Sequence, residues 1–239
     1  MYRKIGIICA GDREVEPFLK HIEGDQVTEK AMLKIHEGII NGVKVAVLYS
    51  GVCKVNAAIA TQILIDHYDV DAVINAGTAG GMDERLEVFD LVVSMEVAYH
   101  DVQSTILTDF HPGMDTEFFH ADKELIELSR QASKKITKPH RIVWGRMVTG
   151  EQFIDHDGRK EINDKYAPLV VDMETASIAH VCYVNKIPFV SIRCITDTAK
   201  YSGTDNFEKN CEKASSIAKD FVLKLLEEMQ NGFMKNLVW

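Results

Sequence analysis

Apolar residues fall along this chain in short, separated runs, and the runs alternate between two periods. Ile5-Gly-Ile-Ile-Cys-Ala is β-branched with no polar alternation, the pattern of a strand buried on both faces. Gly11 breaks it, and Asp12-Arg13-Glu14 opens a helix that carries Val15, Phe18 and Leu19 on one side. From Leu33 to Ser50 the pattern is that of a hairpin, with Asn41-Gly42 as the turn. Ser50-Gly51-Val52 is a turn, and Val55 to Tyr68 is rich in Ala, Ile and Leu at helical spacing. Asp71 to Ala76 reads as the next buried strand, running straight into the glycine cluster Gly77-Thr78-Ala79-Gly80-Gly81, and Asp90 to Tyr99 as another. His100 to Phe119 has no clear period, and a loop of about 20 residues is uncommon unless it is functional or packs on a partner.

The second half continues the alternation. Ala121 to Lys135 predicts a helix, Ile142 to Val148 a strand, Gly150 to Asp155 a loop, and a charged helix follows through Lys165. Leu169 to Val171 is a buried strand that meets a helix at Asp172-Met173-Glu174. Phe189 to Ile195 is a strand ending in Thr196-Asp197-Thr198, and a polar loop leads to a last helix, Phe207 to Met229, ended by Gly232. No linker or repeat divides the chain. Strands alternating with helices imply one domain over residues 1–239, a three-layer α/β/α sandwich around a central mixed, mostly parallel sheet. The apolar tail 232–239 is expected to dock on it.

Charge and cysteine usage narrow the partners. A formal charge of −9 leaves no basic stripe to neutralise phosphates, which argues against a nucleic-acid partner. Lys134-Lys135 and Arg159-Lys160 are read as isolated pairs on solvated helix faces. Five scattered cysteines with no C-x-x-C pair fit a reducing cytoplasm better than a disulfide framework. No apolar run approaches the roughly 18 residues a membrane helix needs. Basic residues precede the first apolar run as in a signal peptide, but charges follow at once, so that run reads as a strand.

Candidate chemistry gathers at strand ends, where ligands bind in open α/β sheets. Glu14, Glu174 and Asp197 each follow a strand, and adjacent parallel strands would turn all three into one crevice. Each has a plainer reading as a helix-start or turn acid, and for Asp172 and Glu174 the two readings stay open. Ile74-Asn-Ala-Gly-Thr-Ala-Gly-Gly81 lets a backbone approach a ligand, with Thr78 as a donor. It is neither a dinucleotide fingerprint nor a P-loop. His100-Asp101 lacks metal-ligand partners at the needed spacing, and Asp155-His-Asp-Gly158 lacks the later positions of a calcium loop. No nucleophile elbow or activated cysteine is evident.

Seven blocks in the same order carry a resemblance: IGIICAGDREVEP, SGVCKVNAA, INAGTAGG, YHD, GEQFI, VVDMETASIAHVC and PFVSIRCITDTA. From Ile5 to about Leu226 the chain resembles the 5′-methylthioadenosine/S-adenosylhomocysteine nucleosidases of the nucleoside phosphorylase type 1 superfamily. The resemblance implies hydrolysis of the N-glycosidic bond to adenine and a 5′-thioribose, with 5′-deoxyadenosine as a further substrate, in methionine salvage. It implies no cofactor, no metal, and a cytoplasmic homodimer.

Carried over to this chain, Asp197 would protonate adenine N7, oriented by Thr78, and burial must raise its pKa for that. Glu174 would hold the ribose hydroxyls. Glu14 would position and deprotonate water, with Arg193 helping to hold that water. Ile154 would read the adenine edge through its backbone and Phe153 would stack on the base. Met173 would pack under the ribose, Phe207 would close over the ligand, and Val52 and Gly11 would complete the substrate contacts. Ser104 and Leu107, in the loop 101–119, would complete the 5′ pocket of a partner subunit.

The chain departs from the family pattern in places. It has Asp172 where the family has Glu, Lys200 where Asp is usual, and Gly11 where Met is common; Ser104 and Leu107 stand where Val and Phe are common. A wider 5′ pocket, suited to longer substituents or to an aminodeoxyfutalosine, is implied. The alternative activity is a purine nucleoside phosphorylase. Against it, Asn75 stands where a phosphate-binding Arg would fall; for it, Gly11-Asp12-Arg13 is similar to their Gly-Asp start. A non-catalytic nucleoside binder would have lost some of the three carboxylates.

Overall fold

The first apolar run forms β1 (Lys4–Cys9), and its neighbours on both sides are strands running the same way. The computed structural model describes residues 2–111, 113–136 and 140–236. After β1 come α1 (Asp12–Leu19), a meander of β2 (Glu23–Lys30), β3 (Leu33–Ile40) and β4 (Val43–Tyr49), then α2 (Lys54–Tyr68). Next are β5 (Ala72–Gly81), β6 (Leu91–Tyr99), a short α3 (Ile106–Phe110), β7 (Phe119–His120), α4 (Lys123–Ser133) and β8 (Ile142–Thr149). The chain continues through α5 (Arg159–Tyr166), β9 (Val170–Asp172), α6 (Thr175–Asn185), β10 (Phe189–Asp197) and α7 (Thr204–Asn236).

The sheet is mixed and parallel through its centre. β1 pairs in parallel with β4 (Ile5 opposite Val45) and β5 (Ile5 opposite Ala72), and β10 adds to β5 with Val190 opposite Ile74. Beyond β10 the sheet returns through β6, β8 and β9, and β9 meets β5 again with Gly80 opposite Val171. Five strands therefore close into a ring, and β1, β4, β3 and β2 extend it as an open wing. Asn41 and Gly42 both take positive φ (49° and 79°), the two-residue turn that holds Ile40 opposite Val43.

Two apolar layers flank the sheet. Val15 and Phe18 of α1, Leu125 of α4, and Phe221 and Leu225 of α7 pack with the β1, β5 and β10 side chains Ile7, Ile74 and Ile192. On the other side Ala57, Ala60 and Leu64 of α2 meet Ala176, Ile178 and Cys182 of α6 over Ile8, Val73 and Ile195. At roughly 25 cal/mol per Å² of apolar area removed from water, such layers dominate the folding energy. Among the described residues no helix is long and apolar enough to cross a membrane.

Several boundaries differ from the sequence reading. The glycine cluster does not follow the strand but belongs to it: β5 continues through it to Gly81, because β9 and β10 pair with it on both edges. β2 was not anticipated; every residue of it is exposed, so it has no apolar alternation to read. Gly232 does not end α7, which runs on to Asn236. Gly232 is not in the left-handed conformation that a glycine stop requires. The docking of the tail falls on side chains from 233 onward, which lie outside the described residues.

Candidate active site

Glu14 occupies the third position of α1, one short turn after β1 ends, and is 6% exposed. Its Oε2 accepts from the amides of Ala10 (2.8 Å) and Gly11 (3.2 Å). Oε1 accepts from the amide and hydroxyl of Thr78, at 2.7 and 2.8 Å. Four donors are about as many as a carboxylate takes. Glu14 thus caps the start of its helix, the plain reading, while also tying β1 to β5. Thr78 does not orient Asp197: its side chain is spent on Glu14.

At the β9–α6 junction the two acids separate by role. Asp172 is the helix-start acid, its Oδ1 accepting from the amides of Glu174 (3.1 Å) and Thr175 (3.0 Å) and from the Thr149 hydroxyl (2.6 Å). Glu174 makes no cap. Its Oε1 accepts from the Cys53 amide at 3.0 Å, and Oε2 pairs with Arg193 at 3.3 Å. Burial pushes the Glu174 carboxyl up to about 7; Arg193 opposes that shift and Asp172 adds to it. Arg193 lies within β10, 1% exposed, and its Nη1 donates to the Thr78 carbonyl at 3.0 Å. Its nearest carboxylates are Asp172 and Glu174, both at 3.3 Å, rather than Glu14.

A hydrogen-bonded cluster beneath this pair was not foreseen. The Thr175 hydroxyl bonds Asn75 Oδ1 (2.8 Å) and Asp172, and receives Arg193 Nη2 at 3.0 Å. Ser191 also donates to Asn75 Oδ1, at 2.9 Å, and Asn75 donates to the Ile8 carbonyl at 3.0 Å. The polar letters inside otherwise apolar strands (Asn75, Ser191, Arg193) were the signal that could have found it.

Asp197 ends β10 and is 2% exposed. Its Oδ1 accepts from the Thr196 hydroxyl at 2.7 Å, so the preceding residue orients it. Burial raises its pKa, while the Thr196 hydrogen bond and the charge of Arg159 pull the other way and Asp155 adds to the rise. Arg159 is therefore not on a solvated face: it is 7% exposed. Its Nη1 donates to the Gly81 carbonyl at 2.5 Å and its Nε to the Asp155 carbonyl at 3.0 Å, while Nη2 meets no hydrogen-bond partner among the described residues. The first residue of α5 thereby anchors the 150–158 loop to the end of β5. Lys160 does point outward, pairing with Asp164.

These groups enclose one cavity of about 350 Å³, within the range of small-molecule sites. Glu14, Glu174, Arg193 and Asp197 line it, as do Gly11, Val52, Thr78, Phe153, Ile154, Met173 and Phe207. Phe153 and Phe207 meet edge to face, 6.3 Å apart, across its mouth. Ser104 and Leu107 do not line it; Leu107 packs against the chain's own core. Two buried carboxyls with raised pKa and a third, multiply hydrogen-bonded carboxylate line the same cavity, an arrangement suited to acid–base chemistry on a small molecule.

Residues 4–227 match the family described as the phosphorylase superfamily. A relative from Geobacillus sp. (strain WCH70), named 5′-methylthioadenosine/S-adenosylhomocysteine nucleosidase, is 37% identical over 232 residues, covering 95% of this chain and 99% of its own. The solved structure of a nucleosidase of that name from Colwellia psychrerythraea 34H, in complex with adenine, superposes with a TM-score of 0.87 at 33% identity, covering 95% of this chain and 96% of that one. Another, from Neisseria meningitidis with methylthio-immucillin-A, has a TM-score of 0.86 at 29% identity, covering 94% and 99%.

Proposed function

The chain belongs to the 5′-methylthioadenosine/S-adenosylhomocysteine nucleosidases of the phosphorylase superfamily, and from that premise we infer how its cavity works. It hydrolyses the N-glycosidic bond of these nucleosides to adenine and the 5′-thioribose. The observation that carries the mechanism is the burial of Glu14, Glu174 and Asp197 around one cavity.

In this reading Asp197 is the general acid. Burial raises its pKa and so favours the protonated form, and handing that proton to adenine N7 turns an anionic leaving group into a neutral base. Thr196 fixes the carboxyl's orientation. Glu174 holds the ribose hydroxyls; positive charge growing on the sugar favours its ionised form, which Arg193 already supports. Glu14 directs water from the opposite face. Both its oxygens are engaged, so water must displace a donor, and the 3.2 Å contact to the Gly11 amide is the longest of the four. Acid and water on opposite faces parallel the demands on inverting glycosidases. Phe153 stacks on the base, the Ile154 backbone reads its edge, Met173 packs under the ribose, and Phe207 with Val52 covers the ligand.

A phosphorylase needs a cationic phosphate site. Asn75, at the position where such an arginine would fall, is fully buried and committed to Ile8, Thr175 and Ser191. Water as the acceptor is the better-supported reading. Incubating the protein with methylthioadenosine, with and without phosphate, tests it: adenine and free methylthioribose should form at the same rate in both. Strict phosphate dependence with a sugar 1-phosphate would overturn it.

At the 5′ end, a side chain at Gly11 would meet nothing within 4 Å among the described residues, which supports a roomy pocket. We further read the protein as a cytoplasmic homodimer working in methionine salvage, one nucleoside phosphorylase-like domain per chain. The dimer is supported by exposed apolar side chains: Val55 and Ile59 on α2, Val184 on α6, and Ile106 and Phe110 on α3. Segment 101–119, with Ser104 and Leu107, would then close the partner's 5′ pocket.

A further inference from the structure

The rim of the cavity carries a charged pair that the bond cleavage does not use. Arg13, in the first turn of α1, lines the cavity together with Asp12 and Gly11. Its Nη1 and Nη2 donate to the two carboxylate oxygens of Glu208, on α7, at 2.7 and 3.1 Å. The guanidinium also lies over the Phe207 ring, 5.5 Å from its centroid. Phe153, Phe207, Arg13 and Glu208 thus form a line across the mouth, from the base-reading loop toward solvent. The pair is wet, with side-chain exposures of 35% and 61%, and Asp12 beside it is exposed. Next to it, the position of a Gly11 side chain is open space.

Glu208 is solvent-exposed, so water can take over its carboxylate when another carboxylate replaces it on the Arg13 fork, an exchange of like for like. The two nucleosides of the proposed reaction differ in what they bring to a rim. Methylthioadenosine ends in an uncharged methyl group. S-adenosylhomocysteine ends in an amino-acid zwitterion with a carboxylate and an ammonium on one carbon. We propose that Arg13, Glu208 and Asp12 form a recognition site for that amino-acid end, with the Arg13 fork taking the α-carboxylate and the two acidic side chains taking the α-ammonium. The planar guanidinium suits a carboxylate in bidentate geometry. Phe207 backs the guanidinium and keeps it at the mouth. Arg13 is then a specificity-determining residue that ranks 5′ substituents without touching the bond that breaks.

This rests on the nucleosidase reading, and the test separates the two. kcat/KM is measured on the full-length protein for methylthioadenosine, S-adenosylhomocysteine and the methyl ester of S-adenosylhomocysteine, the last keeping the bulk of the tail without its carboxylate charge. At low salt the wild type should favour the free acid over the ester by about tenfold, the worth of a hydrogen-bonded charge. The difference should lie in KM and shrink as salt is added. Arg13→Met should bring the acid-to-ester ratio near one, and Arg13→Lys should restore part of it. A wild-type ratio near one, or an unchanged ratio in Arg13→Met, overturns the proposal. The wild-type comparison needs no variant, so it decides even if Arg13→Met does not fold. Release of adenine from none of the three substrates would instead sink the nucleosidase reading.

Discussion

Replacing Cys53 with glycine should make the protein more stable, although it deletes a side chain at the edge of the active site. Cys53 precedes α2 with φ 81° and ψ 164°, a backbone region that only glycine occupies without steric cost. The conformation persists because this amide must reach Glu174 Oε1, at 3.0 Å. Holding a side chain there costs about 1–3 kcal/mol. Glycine gives back roughly 0.5–1 kcal/mol through the greater freedom of its unfolded chain. The thiol is only partly buried and contributes little packing. The net expectation is a gain of roughly 0–2.5 kcal/mol, centred near 1 kcal/mol. At roughly 2–4 °C per kcal/mol for a chain of this size, the central value amounts to a rise in Tm of about 2–4 °C.

Cys53→Ala is the control that isolates the backbone. It removes the thiol but keeps the Cβ, so it should melt at or below the wild type. The assay is thermal unfolding of the three proteins side by side at one protein concentration, since the Tm of any self-associating protein depends on it. If Cys53→Gly melts no higher than Cys53→Ala, there is no backbone strain at this position to relieve, and the argument from its dihedral angles fails.

Three other outcomes follow from the same coordinates. Asp197→Asn should lower kcat by about 10²–10⁴-fold while nucleoside binding, measured by calorimetry, is largely kept; full turnover would remove Asp197 as the acid. Arg159→Met should move the alkaline limb of the pH–kcat profile upward. Arg159 opposes the burial that raises Asp197's pKa, so without it the acid holds its proton to higher pH; a limb that stays or falls would contradict this. Gly77→Ala places a Cβ 2.5 Å from Glu14 Oε1 and must displace that carboxylate. A loss on the order of 10²-fold is the expected size for a catalytic group misplaced by about an ångström, and near-normal kcat would mean that Glu14 need not sit where it does.

What could be read from the sequence, and what could not, divides along physical lines. Buried strands announce themselves by short apolar runs rich in β-branched residues, even with isolated polar positions such as Asn75 and Arg193 inside them, so β1, β5, β9 and β10 were legible, and with them the strand ends where Glu14, Glu174 and Asp197 sit. β2 was not, because an edge strand exposed along its whole length has no apolar face to imprint a period. Nor was Arg159 legible as a buried residue: an arginine beginning a charged helix looks solvated until the fold lays it against the Gly81 carbonyl, which lies far away in sequence. The glycine cluster shows how a reading can be right in chemistry and wrong in geometry. The sequence places the glycines just past the strand, where they would let a ligand approach the backbone. They lie in a strand, and at Gly77 the group that comes close is the Glu14 carboxylate, so near that a Cβ would collide with it. The absent side chain is what lets β5 run past the end of β1 with an acid folded between them. For that reason the pair Gly77 and Glu14, far apart along the chain, has to be treated as one feature of the site.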